Sequence, residues 1–228
     1  MTPHFTYLWV DFCCIIFPFL FSFHPRLQFA QHWKAFLLPS LMTAAFFLVW
    51  DGLFTDGQVW SFNPDYVLGI YFFKMPIEEY LFFLCIPYAC VFSYHCFKVL
   101  FQLDAYQSFA RVFYALLAIV LLLIAAVHLP QLYTSVTFIL CGLFLLYLVA
   151  INHPLLARFF FTYLFILLPF VLSNGVLTGS FLQRTVVAYN DQYNLGIRLL
   201  TIPIEDIFYG MLMLLLNVWG YEKRLAVR

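Results

Sequence analysis

Charge is what this chain has least of. Only 10% of its 228 residues are charged, and 11 Lys and Arg are balanced by 11 Asp and Glu. An ordinary globular domain has about 25% charged and about 45–50% apolar residues. Here 65% are hydrophobic and 22% aromatic, with a mean hydropathy of +0.94. That excludes a soluble fold. Zero net charge and the absence of a basic block exclude nucleic acid as a partner, because phosphate recognition needs clustered positive charge. The six cysteines (Cys13, Cys14, Cys85, Cys90, Cys96, Cys141) lie in apolar runs without CxxC spacing or histidines placed for metal ligation, and read as packing residues. No GxGxxG is present, so there is no Rossmann signature for a flavin or nicotinamide cofactor. A metal-dependent prenyltransferase would need clustered aspartates, and Asn190-Asp191-Gln192-Tyr193-Asn194 holds one. Neither a metal nor a cofactor is expected. Met1 to Thr6 carries no Lys or Arg, and no small-residue cleavage site follows Phe23, so the first apolar run is expected to stay in the mature protein.

What is present is apolar sequence in helix-length pieces. A membrane-crossing helix needs about 20 mostly apolar residues. Seven segments qualify, at roughly 5–23, 35–54, 66–97, 110–129, 133–151, 158–177 and 191–220. They fill the chain and predict an all-α integral membrane protein, one transmembrane domain over 1–228. The positive charges are lopsided. Arg26, Lys34, Lys98, Arg111, Arg158, Lys223, Arg224 and Arg228 fall on one side, and Lys74, Arg184 and Arg198 on the other. Short cytoplasmic loops are enriched in Lys and Arg. The prediction is a multi-pass cell-membrane protein with its C-terminus in the cytoplasm, its N-terminus outside, and the long connections after helices 2 and 6 outside.

Laid on itself at an offset of 127, the chain repeats. Asn63, Tyr66, Gly69, Ile70, Pro76, Ile77 and Glu78 match Asn190, Tyr193, Gly196, Ile197, Pro203, Ile204 and Glu205, and Glu79 faces Asp206. Asp51-Gly52-Leu53-Phe54-Thr55 matches Asn174-Gly175-Val176-Leu177-Thr178 at an offset of 123. The reading is two parallel three-helix repeats, about 5–101 and about 133–220, joined by a connecting helix at about 110–129. An odd connector makes the repeats point the same way, related by a pseudo-twofold axis along the membrane normal. Helices 3 and 7 are then equivalent. Asn63-Pro64 and Asn190-Asp191 are good helix starts, which would put Pro76 and Pro203 at kinks and the acids near the bilayer midplane. A shallower start at Pro76 and Pro203 is the alternative.

Ionisable groups inside a span are costly and are functional hypotheses by default. Low dielectric and a second carboxyl nearby both favour sharing a proton, so one acid of a pair can stay protonated while the other is ionised. The bland reading pairs these acids with Lys74, Arg184 or Arg198 at the outer interface. Lys74 is four residues before Glu78 and Arg198 seven before Glu205, helical spacings that would let the cations tune the acids. Asp11 has no acidic counterpart, since Phe138 occupies that place, and is either a site wall or an interfacial or hydrogen-bonding residue. Asp51 and Asn174 hold the connecting loops or line the entrance. His95 and His128 near span ends read as interfacial. Some of the many aromatics, near the acids, could stabilise a carbocation through their ring faces.

Pro76-Ile77-Glu78-Glu79, Pro203-Ile204-Glu205-Asp206 and the run Asn194-Leu195-Gly196-Ile197-Arg198-Leu199-Leu200 resemble the membrane-embedded lycopene cyclases, the heterodimeric bacterial type and its fused archaeal and fungal relatives. In that family each half carries one PxE(E/D) motif, so this chain resembles both halves joined. The resemblance implies cofactor-free cyclisation of lycopene, or a related acyclic carotenoid taken from the bilayer, to β-carotene via γ-carotene, with membrane lipid as the surrounding partner. On this reading Glu78 and Glu205 are the indispensable pair and Glu79 and Asp206 partners that set protonation, while the residue-level reading adds Asp11, Asn63, Lys74, Asn190 and Arg198 as supporting or substrate-lining residues. On that reading Glu78→Gln or Glu205→Gln abolishes ring formation. A cyclase of longer, prenylated carotenoids is the nearest competitor. A small proton-coupled 3+1+3 transporter competes from another class, although the PQ signatures of small sugar transporters are absent. A retinal protein is excluded, because no lysine falls within 203–219 for a Schiff base.

Overall fold

The computed structural model describes residues 3–226; Met1, Thr2 and Arg228, which enter the leader and charge readings above, lie outside the described residues. Seven helices carry the chain: α1 (Thr6–Phe21), α2 (Trp33–Asp56), α3 (Ile77–Leu100), α4 (Gln107–Val127), α5 (Leu132–Ala150), α6 (Leu155–Leu177) and α7 (Ile204–Ala226). Among the described residues six of them, all but α7, are long and apolar enough to cross a membrane, α1 together with the 3-10 turn Pro3–Phe5 that leads into it. The charges of α7 sit at its two ends, Glu205 and Asp206 in the first turn and Glu222, Lys223 and Arg224 in the last. Met211 to Leu215 are five consecutive buried residues, so this stretch faces protein on every side, as the core helix of a bundle does.

Helices 3 and 7 depart from the long spans expected at 66–97 and 191–220. They begin at Ile77 and Ile204, directly after Pro76 and Pro203, so the prolines start the helices and do not kink them. A proline has no N–H to give an upstream carbonyl and disfavours helical geometry in the residue before it. Asn63 does cap, but only a short 3-10 turn at Pro64–Tyr66, its side chain accepting from the Asp65 N–H at 3.0 Å. Gly69, at φ +81°, then leads into a hairpin of β2 (Tyr71–Phe72) and β3 (Met75–Pro76). Its two-residue turn, Phe73-Lys74, has positive φ at both positions, which suits the right-handed twist of a tight hairpin. Asn190, Gly196 and the strands β5 (Arg198–Leu199) and β6 (Ile202–Pro203) repeat this design.

The two loops meet. Strands β1 (Trp60–Phe62) and β4 (Val187–Tyr189) pair antiparallel with Ser61 opposite Ala188, its equivalent at the offset of 127. Asn63 N–H bonds the Val186 carbonyl at 2.8 Å, and Asn190 N–H bonds the Val59 carbonyl at 2.9 Å, one bond counted from either repeat. A local twofold therefore passes through this ladder.

Small residues bring helices close where no side chain would fit. Ala110, Ala118 and Ala125 are fully buried on α4, at helical spacings that place them on one face. A Cβ on Gly142 of α5 would meet Leu122 of α4 at 2.9 Å. At the crossing of α2 and α7, a Cβ on Gly220 would lie 2.5 Å from the Pro39 Cβ, an atom anchored to backbone. Gly220→Ala is expected to cost ~1–3 kcal/mol by overpacking. The check is thermal unfolding of purified protein in detergent, with Gly52→Ala, whose Cβ meets only the end of Met75 at 3.8 Å, shifting the midpoint little.

Candidate active site

Successive residues on a helix point about 100° apart, so the two acids of each motif go to different places. The first ones turn toward their own loops. Glu78 is fully buried and accepts the Leu68 N–H at 2.7 Å. Glu205, equally buried, accepts the Leu195 N–H at 2.8 Å and the Thr134 hydroxyl at 2.6 Å. Leu68 and Leu195 are equivalent at the offset of 127, so each first acid ties down the segment leading to its hairpin.

The second acids turn inward. Glu79 and Asp206 line one cavity of about 1070 Å³, walled mainly by α1, α3, α6 and α7, and Asp51 of α2 joins them there. Tyr7 donates to Glu79 at 2.5 Å, and Tyr133 donates to Asp206 at 2.6 Å. Asp206 also accepts from Asn174 at 2.7 Å and from Tyr189 at 3.0 Å. Asp51 lines the same cavity as Glu79 and accepts from Tyr209 at 2.6 Å. Carboxyls gathered in one apolar cavity repel when ionised together, and only a protonated one can donate to another. The halves thus differ. Asp206 receives three donors, whereas Asp51 and Glu79 share a site with one tyrosine donor each.

Aromatic rings close around these acids. Tyr133 and Tyr189 stack at 5.8 Å between centroids, and Trp60 lies 5.2 Å from Tyr133, 5.9 Å from Tyr189 and 6.4 Å from Tyr209. Faces of electron-rich rings stabilise nearby positive charge, most strongly where water is excluded.

Other sequence-derived candidates sit elsewhere. Lys74 pairs with Asp56, and Arg198 with Asp191 and the Thr201 carbonyl. Neither lines the cavity, because both residues lie in the hairpins and the helical spacing to the glutamates does not exist there. Partial burial pushes the Asp191 carboxyl up, but bonds from Asn194 and Arg198 leave it below its ordinary value. Arg184 faces Asp65 at 3.7 Å. Asn63 and Asn190 shape turns and do not touch the cavity. Asp11, 1% exposed, lies one turn beyond Tyr7 on α1, and neither of its carboxyl oxygens has a hydrogen-bond partner among the described residues. Its equivalent is corrected from Phe138 to Thr137. Tyr7 and Tyr133 make the same bond to the second acid of their motifs, which sets the register of α1 on α5 at 126.

Asp51 and Asn174 line the cavity as equivalents, each beside the second acid of its own repeat. Tyr7, Trp60, Tyr133, Tyr189 and Tyr209 were not singled out in the sequence. An offset of 126 in the first helices of the repeats is the signal that marks Tyr7 and Tyr133. The rest hide in a chain with 50 aromatic residues: 30 Phe, 15 Tyr and 5 Trp.

Fold and cavity define an integral membrane protein that gathers three carboxyl groups and an aromatic cage in an apolar chamber. The family model described as lycopene cyclase matches residues 4–97 and again residues 130–223. The chain belongs to the lycopene cyclase family, with two copies of the unit fused in one polypeptide, and is thereby a carotenoid cyclase. No curated protein and no solved structure matches it.

Glu205→Ala is expected to free the 191–203 segment, since it leaves the half-buried Leu195 N–H without its acceptor at a cost of ~1–3 kcal/mol. Amide exchange across that segment should accelerate about 10- to 100-fold. Unchanged protection would remove the tie from the structure's account.

Proposed function

We propose that the protein is a lycopene β-cyclase that closes the acyclic ends of lycopene by proton transfer without a cofactor, giving β-carotene via γ-carotene. The observation that carries this reading is the unequal hydrogen bonding of the carboxyls in the cavity. The Asp51–Glu79 pair is the acid: it holds one proton between two carboxyls and passes it to the terminal double bond of the end group. The tertiary cation so formed is attacked by the neighbouring internal double bond, which closes a six-membered ring and moves the positive charge to a ring carbon. Asp206, supplied with three donors that suit an ionised carboxylate, is the base and removes a proton. Loss from the ring-junction carbon gives the β ring, from the ring methylene the ε ring, and from the methyl group the γ ring. One proton enters and one leaves, so the reaction is an isomerisation. The cage of Trp60, Tyr133, Tyr189 and Tyr209 faces the cation, and the exclusion of water keeps it from capture.

In this reading Glu78 and Glu205 act through the loops they hold, and Glu79 and Asp206 meet the substrate. The chain works as one transmembrane unit of repeat A (about 5–101), connector (about 110–129) and repeat B (about 133–220). The charge asymmetry supports a cell-membrane orientation with the C-terminus in the cytoplasm and the acid-bearing end of the bundle on the outer side.

The test is expression of this chain alone in a lycopene-accumulating bacterial host, with pigments separated by chromatography and identified by absorption spectra. β-Carotene is the expected product. Unchanged lycopene with the protein present in membranes would overturn the reading in favour of a longer-carotenoid cyclase. Glu79→Gln and Asp206→Asn are each expected to lower ring formation about 10²-fold or more, the contribution of a positioned acid or base. Glu78→Gln and Glu205→Gln keep an oxygen that accepts the loop N–H and are expected to lose less. The reverse order would assign the chemistry to the first acids.

A further inference from the structure

The two repeats offer equivalent grooves, and only one of them reaches the acids. Between α2, α5 and α7 lies an apolar groove of about 620 Å³ whose lining includes none of Asp51, Glu79 and Asp206. Its counterpart between α1, α3 and α6 is part of the catalytic cavity. Leu216 on α7, in the closed groove, is equivalent to Ala89 on α3, and Thr43 on α2 to Ile166 on α6. The difference has an identifiable cause. At the offset of 123, Phe47 and Trp50 of α2 correspond to Phe170 and Ser173 of α6. Trp50 stacks on Phe47 at 5.5 Å and meets, at 5.2 Å, the ring of Tyr209, whose hydroxyl bonds Asp51. On the other side a serine stands where the tryptophan would be, with its hydroxyl turned back to the Pro169 carbonyl of its own helix.

The open groove is long. Along α3 its lining runs from Glu79 to Ser93, roughly 21 Å at about 1.5 Å per residue. Its walls are apolar, and it faces the lipid between α1 and α6, where Phe17, Phe165 and Leu172 line it and are each more than half exposed.

Resting on the cyclase reading, we propose that the conjugated polyene arm of the substrate occupies the α1–α3–α6 groove, reached sideways from the bilayer between α1 and α6. Ser173 is the residue that keeps it open, and the Phe47–Trp50–Tyr209 cluster denies the same path to the other repeat. The enzyme has a single arm-binding groove in spite of its duplicated fold. An elongated, apolar, lipid-facing channel ending at an acid cluster fits an extended polyene, which presents its end group to the acids while the rest of the chain lies along the channel.

The test installs the second repeat's plug in the first. Ser173→Trp, and separately Ala89→Phe further along the groove, are purified from the lycopene-accumulating host beside wild type and Leu168→Trp. Leu168 is a lipid-facing residue of α6 outside the groove. The readouts are carotenoid bound per protein, cyclised pigment in the membranes, and thermal unfolding. Both plugs should lower bound carotenoid and cyclised product about ten-fold or more, the loss expected when a ring fills a pocket that must hold the substrate. Leu168→Trp should match wild type and all proteins should unfold alike. Wild-type levels of bound carotenoid and product in either plugged protein, shown to be folded, would overturn the groove. If one plug fails to fold, the other decides. Wild type that binds lycopene without forming rings, with binding lost in the plugs, would support the groove and sink the cyclase reading instead.

Discussion

A carboxyl group inside an apolar bundle must be met by a donor, a proton or a backbone N–H, and the rest of this structure is arranged around that requirement. Four acids enter the bundle at the first turns of α3 and α7, where free backbone N–H groups and the positive end of the helix dipole favour negative charge. Each motif divides them in the same way. One acid closes a loop by accepting from Leu68 or Leu195, and the next reaches the cavity. The loop and the site are therefore fastened by adjacent residues, so the position of the hairpin and the aim of the cavity acid depend on one helix start.

Duplication supplies the frame, and departures from it make the two halves of the cavity unequal. The ladder of Ser61 with Ala188 places the local twofold, and tyrosines at the same place in both repeats bond the cavity acids. Against this background Asp51 stands opposite Asn174, Tyr209 opposite Phe82, Tyr189 opposite Phe62 and Trp50 opposite Ser173. The first and third give Asp206 the donors Asn174 and Tyr189 and put a second carboxyl, Asp51, in the cavity, and the second gives that carboxyl its own tyrosine donor. The fourth is the replacement that, we propose, opens one groove and closes its twin. An acid and a base cannot be the same group in the same state, so under the mechanism we propose, which begins by giving a proton and ends by taking one, a symmetric site would be unsuited.

Five of the seven helices were legible from apolar runs alone, to within three residues at each end, because lipid imposes length and composition directly on such segments. The starts of α3 and α7 were not. Asn63-Pro64 carries a valid capping signal, but it caps a short 3-10 turn, and the positive φ angles at Gly69, Phe73 and Lys74 that divert the chain into a hairpin leave little mark in sequence. Once the hairpins replace the helix extensions, the helical spacings of Lys74 and Arg198 to the glutamates lose their meaning, and the cations pair with Asp56 and Asp191.

The sequence by itself determined that the protein lives in a membrane, that it is a doubled unit, and which four acids sit at equivalent places. Each of those properties is written in composition or in order along the chain. Only the tertiary structure decided which acid of each pair faces the cavity, which tyrosines and which carboxyl from α2 join it, and which of two equivalent grooves is open. Those depend on rotations of about 100° per residue and on contacts between residues more than seventy positions apart, such as Tyr7 with Glu79 and Tyr209 with Asp51. Packing sets such contacts, and local pattern does not encode them.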